Sequence, residues 1–251
     1  MEAIYALVFV TGLAVGSFLN VCIYRIPRGQ TVVTTPSHCF NCGTNLKYRD
    51  LVPVLSFLLQ GGKCRYCGVK LSWQYPLVEF ATGVLFLLAF YTWGLSWTTL
   101  AMMVFFSLLM VTAVIDLYHQ IIPDGVLLVG GILGVPLVYL QSLDQLKWGA
   151  MGFLAAGVML YVIAIISKGG MGGGDIKLAA VMGLYLGLKP VAVALLLAFV
   201  LGGLAGILLL VSGKKGRKDA VPFGPFLALG AFIAALAGER ILAWYTGYWG
   251  W

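Results

Sequence analysis

The chain has 251 residues, of which 61% are hydrophobic and only 10% charged, with a formal charge of +7. Soluble domains are about 45–50% apolar with Gly counted in and about 25% charged, so a water-solvated globular core is excluded and the bilayer is the solvent that fits. Nor does the charge point to nucleic acid, because no basic face interleaved with aromatic residues accompanies it.

Eight apolar spans follow one another near 3–24, 77–94, 97–115, 125–141, 148–167, 176–188, 190–211 and 222–245. A helix needs about 20 residues to cross the hydrocarbon. The span at 176–188 is short, so it reads as a broken or tilted element or as one fused to its neighbour. The expected fold class is an all-α integral membrane protein with six to eight transmembrane helices and a cytoplasmic zinc-ribbon-like insertion after the first helix. Three parts are expected: the first transmembrane helix at 1–24, a loop domain at 25–76, and a helical membrane domain at 77–251.

The first span does not read as a cleaved signal peptide. Its leading flank, Met1-Glu2-Ala3, has no basic residues, and Arg25 and Arg28 come after it. That order puts the N-terminus outside and residues 25–75 in the cytoplasm. Seven Lys and Arg fall between Arg25 and Lys70, and four more are Lys214, Lys215, Arg217 and Lys218. Eight alternating crossings place the loops at 116–124, 168–175 and 212–220 on the same cytoplasmic side, and the last of these is strongly basic. The outer loops at 94–97 and 141–148 carry only Lys147.

Within the first loop, Cys39-x-x-Cys42 and Cys64-x-x-Cys67 form two knuckles. Each offers two thiolates to a tetrahedral ion, the pattern of a structural zinc ribbon. The other reading is two disulfides, which a reducing compartment disfavours. Cys22 lies on an apolar span and reads as a small core residue. His38 adjoins Cys39 and is a substitute ligand, although four cysteines already complete the set.

Only nine acidic residues exist, and ionisable groups at membrane depth are expensive enough to imply function. Asp116 ends the third span in IDLYHQIIPD (115–124), and Asp175 opens the sixth in GGMGGGDIKL (169–178). As the N-terminal cap of a helix, Asp175 has a ready structural role, and so has Asp124 after Pro123. Asp116 has none in sight, since the end of a helix repels negative charge. The glycines at 169, 170, 172, 173 and 174 suit either an irregular segment lining a water-filled cavity or a plain flexible loop. Two facing carboxylates share one proton. The charged one takes a proton from water while the neutral one donates to a substrate carbonyl. No G-x-S-x-G or H-E-x-x-H competes.

Over nearly its whole length the sequence resembles the bacterial type IV prepilin peptidase family, the leader peptidase–methyltransferases of pili and type II secretion. The matching stretches are GSFLNVCIYRIPRG (16–29), the two C-x-x-C pairs, DLVPVLSFLLQGGKCRYC (50–67), LSWQYPLVE (71–79), IDLYHQIIPD and GGGDIKL. The resemblance implies that Asp116 and Asp175 are the catalytic dyad, with Asp175 in the G-x-G-D motif Gly172-Gly173-Gly174-Asp175. It implies a bacterial inner-membrane enzyme that cuts the short basic leader of a prepilin or pseudopilin before a hydrophobic helix, at the cytoplasmic face. It also implies methylation of the new N-terminal amine by S-adenosylmethionine, beside structural Zn2+ on Cys39, Cys42, Cys64 and Cys67. The expected partners are such substrates and membrane lipid, with no nucleic acid.

Three further polar residues lie in or near spans. Asn20 is expected to hydrogen-bond between helices. Glu79 lies either near the methylation site or simply at the interface beside the basic loop. Lys177 either tunes Asp175 or snorkels to lipid headgroups. Two other readings remain: an ion or proton transporter using Asp116 and Asp175 as a relay, and a zinc-ribbon scaffold for a cytoplasmic partner.

Overall fold

In lipid every backbone polar group must be satisfied within the chain, so long apolar segments close into helices. The computed structural model describes residues 2–168, 170–213, 216 and 221–249. Among the described residues nine α-helices are formed: α1 Glu2–Arg25, α2 Leu55–Leu59, α3 Gln74–Trp93, α4 Trp97–His119, α5 Asp124–Gln141, α6 Leu143–Ile166, α7 Gly173–Leu186, α8 Leu188–Val211 and α9 Gly224–Trp249. Among the described residues, β pairing is confined to two isolated antiparallel bridges. Seven helices are long and apolar enough to cross a membrane, namely all except α2 and α7. The chain is a multi-pass membrane protein of the all-α class, with a four-cysteine insertion after its first helix. The basic run Lys214, Lys215, Arg217 and Lys218, and Gly169, lie outside the described residues.

Contacts divide the chain into two units, Met1–Leu95 and Ser96–Trp251. In the first, α1 packs along α3, so α3 goes with α1 rather than with the helices that follow it. Their backbones approach so closely that a Cβ on Gly16 would stand 2.7 Å from the Cα of Glu79. Small residues permit this kind of contact between helices that gain nothing from the hydrophobic effect in lipid. As expected, Asn20 reaches across, its amide donating to the Tyr75 carbonyl at 3.1 Å. Buried Arg25 organises the chain beyond α1: its guanidinium donates to the carbonyls of Thr31, Thr35 and Pro36.

In the second unit the short α7 is the hub and contacts α4, α5, α6, α8 and α9. At 14 residues it is about 21 Å long, short of the roughly 30 Å hydrocarbon thickness. Leu178 to Leu186 are all buried, which suits a helix wrapped by others. Tyr185 anchors it, stacking on Phe105 and donating its hydroxyl to the Gly130 carbonyl of α5 at 2.7 Å. Ser96 and Ser142 cap α4 and α6 by accepting the N–H groups of Thr99 and Gln145. α4 runs one turn past the expected end at 115, because nothing in Asp116–His119 breaks a helix. Gln120, in the left-handed region, then closes it by donating to the Asp116 carbonyl.

Candidate functional site

The first unit holds the cysteines. Each knuckle is built the same way: Gly43 donates its N–H to the Cys39 carbonyl at 2.8 Å, and Gly68 to that of Cys64 at 2.9 Å. Both glycines have positive φ, 69° and 71°, a conformation that suits glycine because it has no Cβ. The working motif is therefore C-x-x-C-G written twice, Cys39–Gly43 and Cys64–Gly68. Its two glycines stand in the sequence but escape a count of cysteines alone. The bridges His38–Asn45 and Lys63–Lys70 close the base of each turn.

Cys39, Cys42, Cys64 and Cys67 bring their sulfurs within 4.8 Å of one another. The Cys39 and Cys67 sulfurs are 3.8 Å apart. A tetrahedral ion with metal–sulfur bonds of about 2.3 Å places its sulfurs roughly 3.8 Å apart, so this donor set fits zinc. His38 is not part of it; its ring turns to the Pro36 carbonyl. Cys22 stays buried on α1, outside the set. Asp50, unremarked in the sequence, ties the second knuckle to the chain before it. Its carboxylate accepts from Arg65, the Tyr66 hydroxyl and the Lys47 N–H. Burial raises its pKa, but these donors outweigh that and hold the carboxyl below its usual range.

The second unit holds the aspartates. Asp116 lies in the last turn of α4 and is buried, 5% exposed. Its carboxylate accepts the N–H of Gly224, the first residue of α9, at 2.8 Å. The expectation that Asp116 lacks a structural role is thereby corrected. At the foot of its own helix the dipole is unfavourable, but the start of another helix supplies the positive end. Asp175 lies in the first turn of α7 and accepts the Gly172 N–H at 3.2 Å; the cap itself is Gly172, and Asp175 at the third helical position bonds back to it rather than capping the helix directly. Three helix ends, from α4, α7 and α9, thus converge on one end of this unit.

The two carboxylates are near enough to act on one another. Burial, and then the charge of Asp116, push the Asp175 carboxyl up to about 6 against the pull of the Gly172 N–H. Two carboxyls close enough to feel one another's charge can hold a proton between them, an arrangement suited to acid–base hydrolysis. Lys177 neither tunes Asp175 nor stands alone; its ammonium bonds both oxygens of Asp124 at 2.8 Å. Beside this pair opens an apolar groove of about 1000 Å3 between α5 and α6, floored by α7, whose lining runs from Asp124 and Ile176 to Val135 and Leu184.

A polytopic membrane protein with a four-thiol unit and a carboxylate pair at converging helix ends is thus defined. Residues 10–93 match the family model described as Bacterial Peptidase A24 N-terminal domain, and residues 103–207 match the Type IV leader peptidase family. A protein of Bacillus subtilis (strain 168) called prepilin leader peptidase/N-methyltransferase is 36% identical over 244 residues, covering 96% of this chain and 97% of its own. Proteins of the same name are 32% identical in Stutzerimonas stutzeri (95% of this chain, 92% of that one) and 33% identical in Aeromonas hydrophila (96% and 93%). No solved structure matches. The chain belongs to the type IV leader peptidase family, a family of membrane peptidases, and the transporter reading is left without support.

Proposed function

We propose that this protein is an aspartic endopeptidase of the bacterial inner membrane that removes the basic leader of prepilins or pseudopilins at the cytoplasmic face. The observation that carries the reading is that Asp116 and Asp175, residues 59 positions apart in sequence, lie near enough that burial and the charge of Asp116 raise Asp175 to about 6. Sidedness rests on the basic residues that follow α1 and on the alternation of α1, α3, α4, α5 and α6, which puts Asp116 and Asp175 on the same side as that basic loop.

In this mechanism the pair holds one proton. Asp175, with its raised pKa, carries the proton and donates it to the scissile carbonyl. Asp116, held by the Gly224 N–H, is the charged partner that takes a proton from the attacking water. The tetrahedral diol collapses as the proton gained by Asp116 passes to the leaving amine and one diol hydroxyl returns its proton to Asp175, so the C–N bond breaks and the pair again holds one proton. Backbone N–H groups fix one oxygen of each carboxylate, so the pair is oriented before substrate arrives. The groove between α5 and α6 begins at Ile176, next to Asp175, and accepts the apolar helix that follows the cut.

Residues 25–76 form the zinc-binding part, with Cys39, Cys42, Cys64 and Cys67 as ligands, and the peptidase chemistry belongs to helices within 77–251. Zinc there supplies folding energy to a loop with little core of its own. S-adenosylmethionine supplies the methyl group for the new terminal amine, as the names of the relatives suggest.

The test uses purified protein and a synthetic substrate carrying its leader, with product followed by mass. Asp116→Asn and Asp175→Asn are each expected to abolish cleavage while folding and zinc content persist. Normal cleavage by either variant would refute the dyad.

A further inference from the structure

The first unit contains a second buried carboxylate that the peptidase chemistry does not use. Glu79, on α3, is 7% exposed. One oxygen accepts the Val54 N–H at 2.7 Å, and Ser17 lines the same cavity as the carboxylate. Glu79 takes part in no ion pair among the described residues. The nearby guanidinium of Arg25 is committed to three backbone carbonyls, and Asp50 already has Arg65.

An ionised carboxylate has room for about four hydrogen bonds, and a buried one without a cation costs several kcal/mol. Glu79 faces a cavity of about 160 Å3 that also reaches Cys39 and Cys64 and is walled by Phe57, Leu71 and Tyr75. That is close to the roughly 150 Å3 that admits one benzene. A cavity of that size suits a small charged head group.

The cavity wall is also strained. Val54 has φ 62° and ψ −51°, a conformation that a β-branched residue rarely adopts. Such strain costs on the order of 1–3 kcal/mol and persists where surrounding contacts dictate it. Here the contact is the bond to Glu79. Carboxylate, strained wall and cavity form one constructed pocket beneath the knuckles.

We infer that this cavity is a cation subsite, in which Glu79 holds the positively charged end of a methylation substrate. The inference rests on the methyltransferase reading. The cation has two sources, the sulfonium of the donor or the terminal ammonium of the cleaved peptide. The terminal ammonium first loses a proton to water; the neutral amine then forms the N–CH3 bond as the S–CH3 bond breaks, the sulfur leaves as a neutral thioether and the positive charge moves to nitrogen, so one fixed anion beside both serves reactants and products alike.

The test measures binding by calorimetry to the full-length zinc-loaded protein in detergent, for wild type, Glu79→Gln and Glu79→Asp. Gln keeps an oxygen for the Val54 N–H and removes only the charge; Asp restores the charge on a shorter arm. Ligands are S-adenosylmethionine, its neutral-sulfur product S-adenosylhomocysteine, and a mature pilin-like peptide with a free or an acetylated amine. If the sulfonium occupies the site, wild type prefers S-adenosylmethionine over the thioether by about tenfold. Gln then erases the preference and Asp recovers part of it. If the ammonium occupies it, donor affinity is unchanged in Gln, and the free-amine peptide loses its advantage over the acetylated one. Unchanged affinities for all ligands in Gln overturn the inference and leave the methyltransferase reading standing. Failure of wild type to bind donor at all, with leader cleavage intact, overturns both. Leader cleavage and zinc content, unaltered in the variants, verify the fold.

Discussion

The two units solve the problem of placing reactive groups in different ways. In the first, four thiols are brought together by two short turns of identical build, each closed within five residues by a glycine at positive φ. In the second, two carboxylates come within electrostatic reach because α4, α7 and α9 end at one place, and residues as distant as Asp116 and Gly224 touch. A turn is a local device and depends on its own few residues. A convergence of helix ends depends on the packing of a whole bundle around α7.

The contrast is sharpest at the aspartates. Asp116→Asn and Asp175→Asn should each lower leader cleavage by about 10²–10⁴-fold, the usual worth of general acid–base groups. Methylation of a peptide supplied already cut should persist in both. Loss of the two activities together would show that the units do not divide the work.

Zinc removal should do the reverse. Structural zinc contributes on the order of 10 kcal/mol in small domains, so a strong chelator should open residues 25–75 to protease and abolish methylation before cleavage. An unchanged digestion pattern would refute this.

The groove offers a gentler probe. A Cβ on Gly131 meets open space, so Gly131→Phe should leave the melting temperature near wild type while obstructing the groove. KM for a substrate with its apolar helix should rise roughly tenfold, about 1.4 kcal/mol. The neighbouring Gly130 is a control, because a Cβ there collides with the Leu108 side chain. Gly130→Phe should cost about 1–3 kcal/mol or more by overpacking, read by thermal unfolding.

The pH dependence is smaller still. The Asp175 pKa rises from an ordinary 3.8 to about 6 on folding, so between those values the folded chain holds a proton that the unfolded chain has released. This contribution to stability is fully present below about 3.8 and is lost as pH rises through about 6. Wild type should therefore melt lower at pH 7.5 than at pH 4.5, by a margin that Asp175→Asn lacks. Cleavage should decline above pH 6 as the donor proton is lost. A rate that climbs steadily from pH 6 to 8 would place the proton elsewhere. Smallest of all, Lys177→Ala breaks an exposed pair with Asp124 worth at most about 1 kcal/mol. Cleavage should stay within about twofold of wild type.

Much of this was legible in the residues. Apolar length and the sparse charges define a multi-pass helical protein, because the hydrocarbon thickness sets how long such runs must be. The knuckles follow from C-x-x-C spacing, because a short turn is determined by its own few residues. The position of Asp175 in the first turn of a helix followed from the same local logic.

What the residues alone left undecided is long-range. Nothing near IDLYHQIIPD says that Asp116 receives the N–H of Gly224, more than a hundred residues away, or that Lys177 pairs with Asp124. No local pattern marks Val54 as strained or ties it to Glu79. Nor does the short span at 176–188 declare itself the hub of five helices. By itself the sequence determined where helices form, where the thiols gather, and which acids are costly enough to matter, since each depends on neighbours in the chain and on the solvent. Only the tertiary structure decided which acids lie near one another, which are capped and which face a cavity, because those outcomes depend on how helix ends from distant parts of the chain converge.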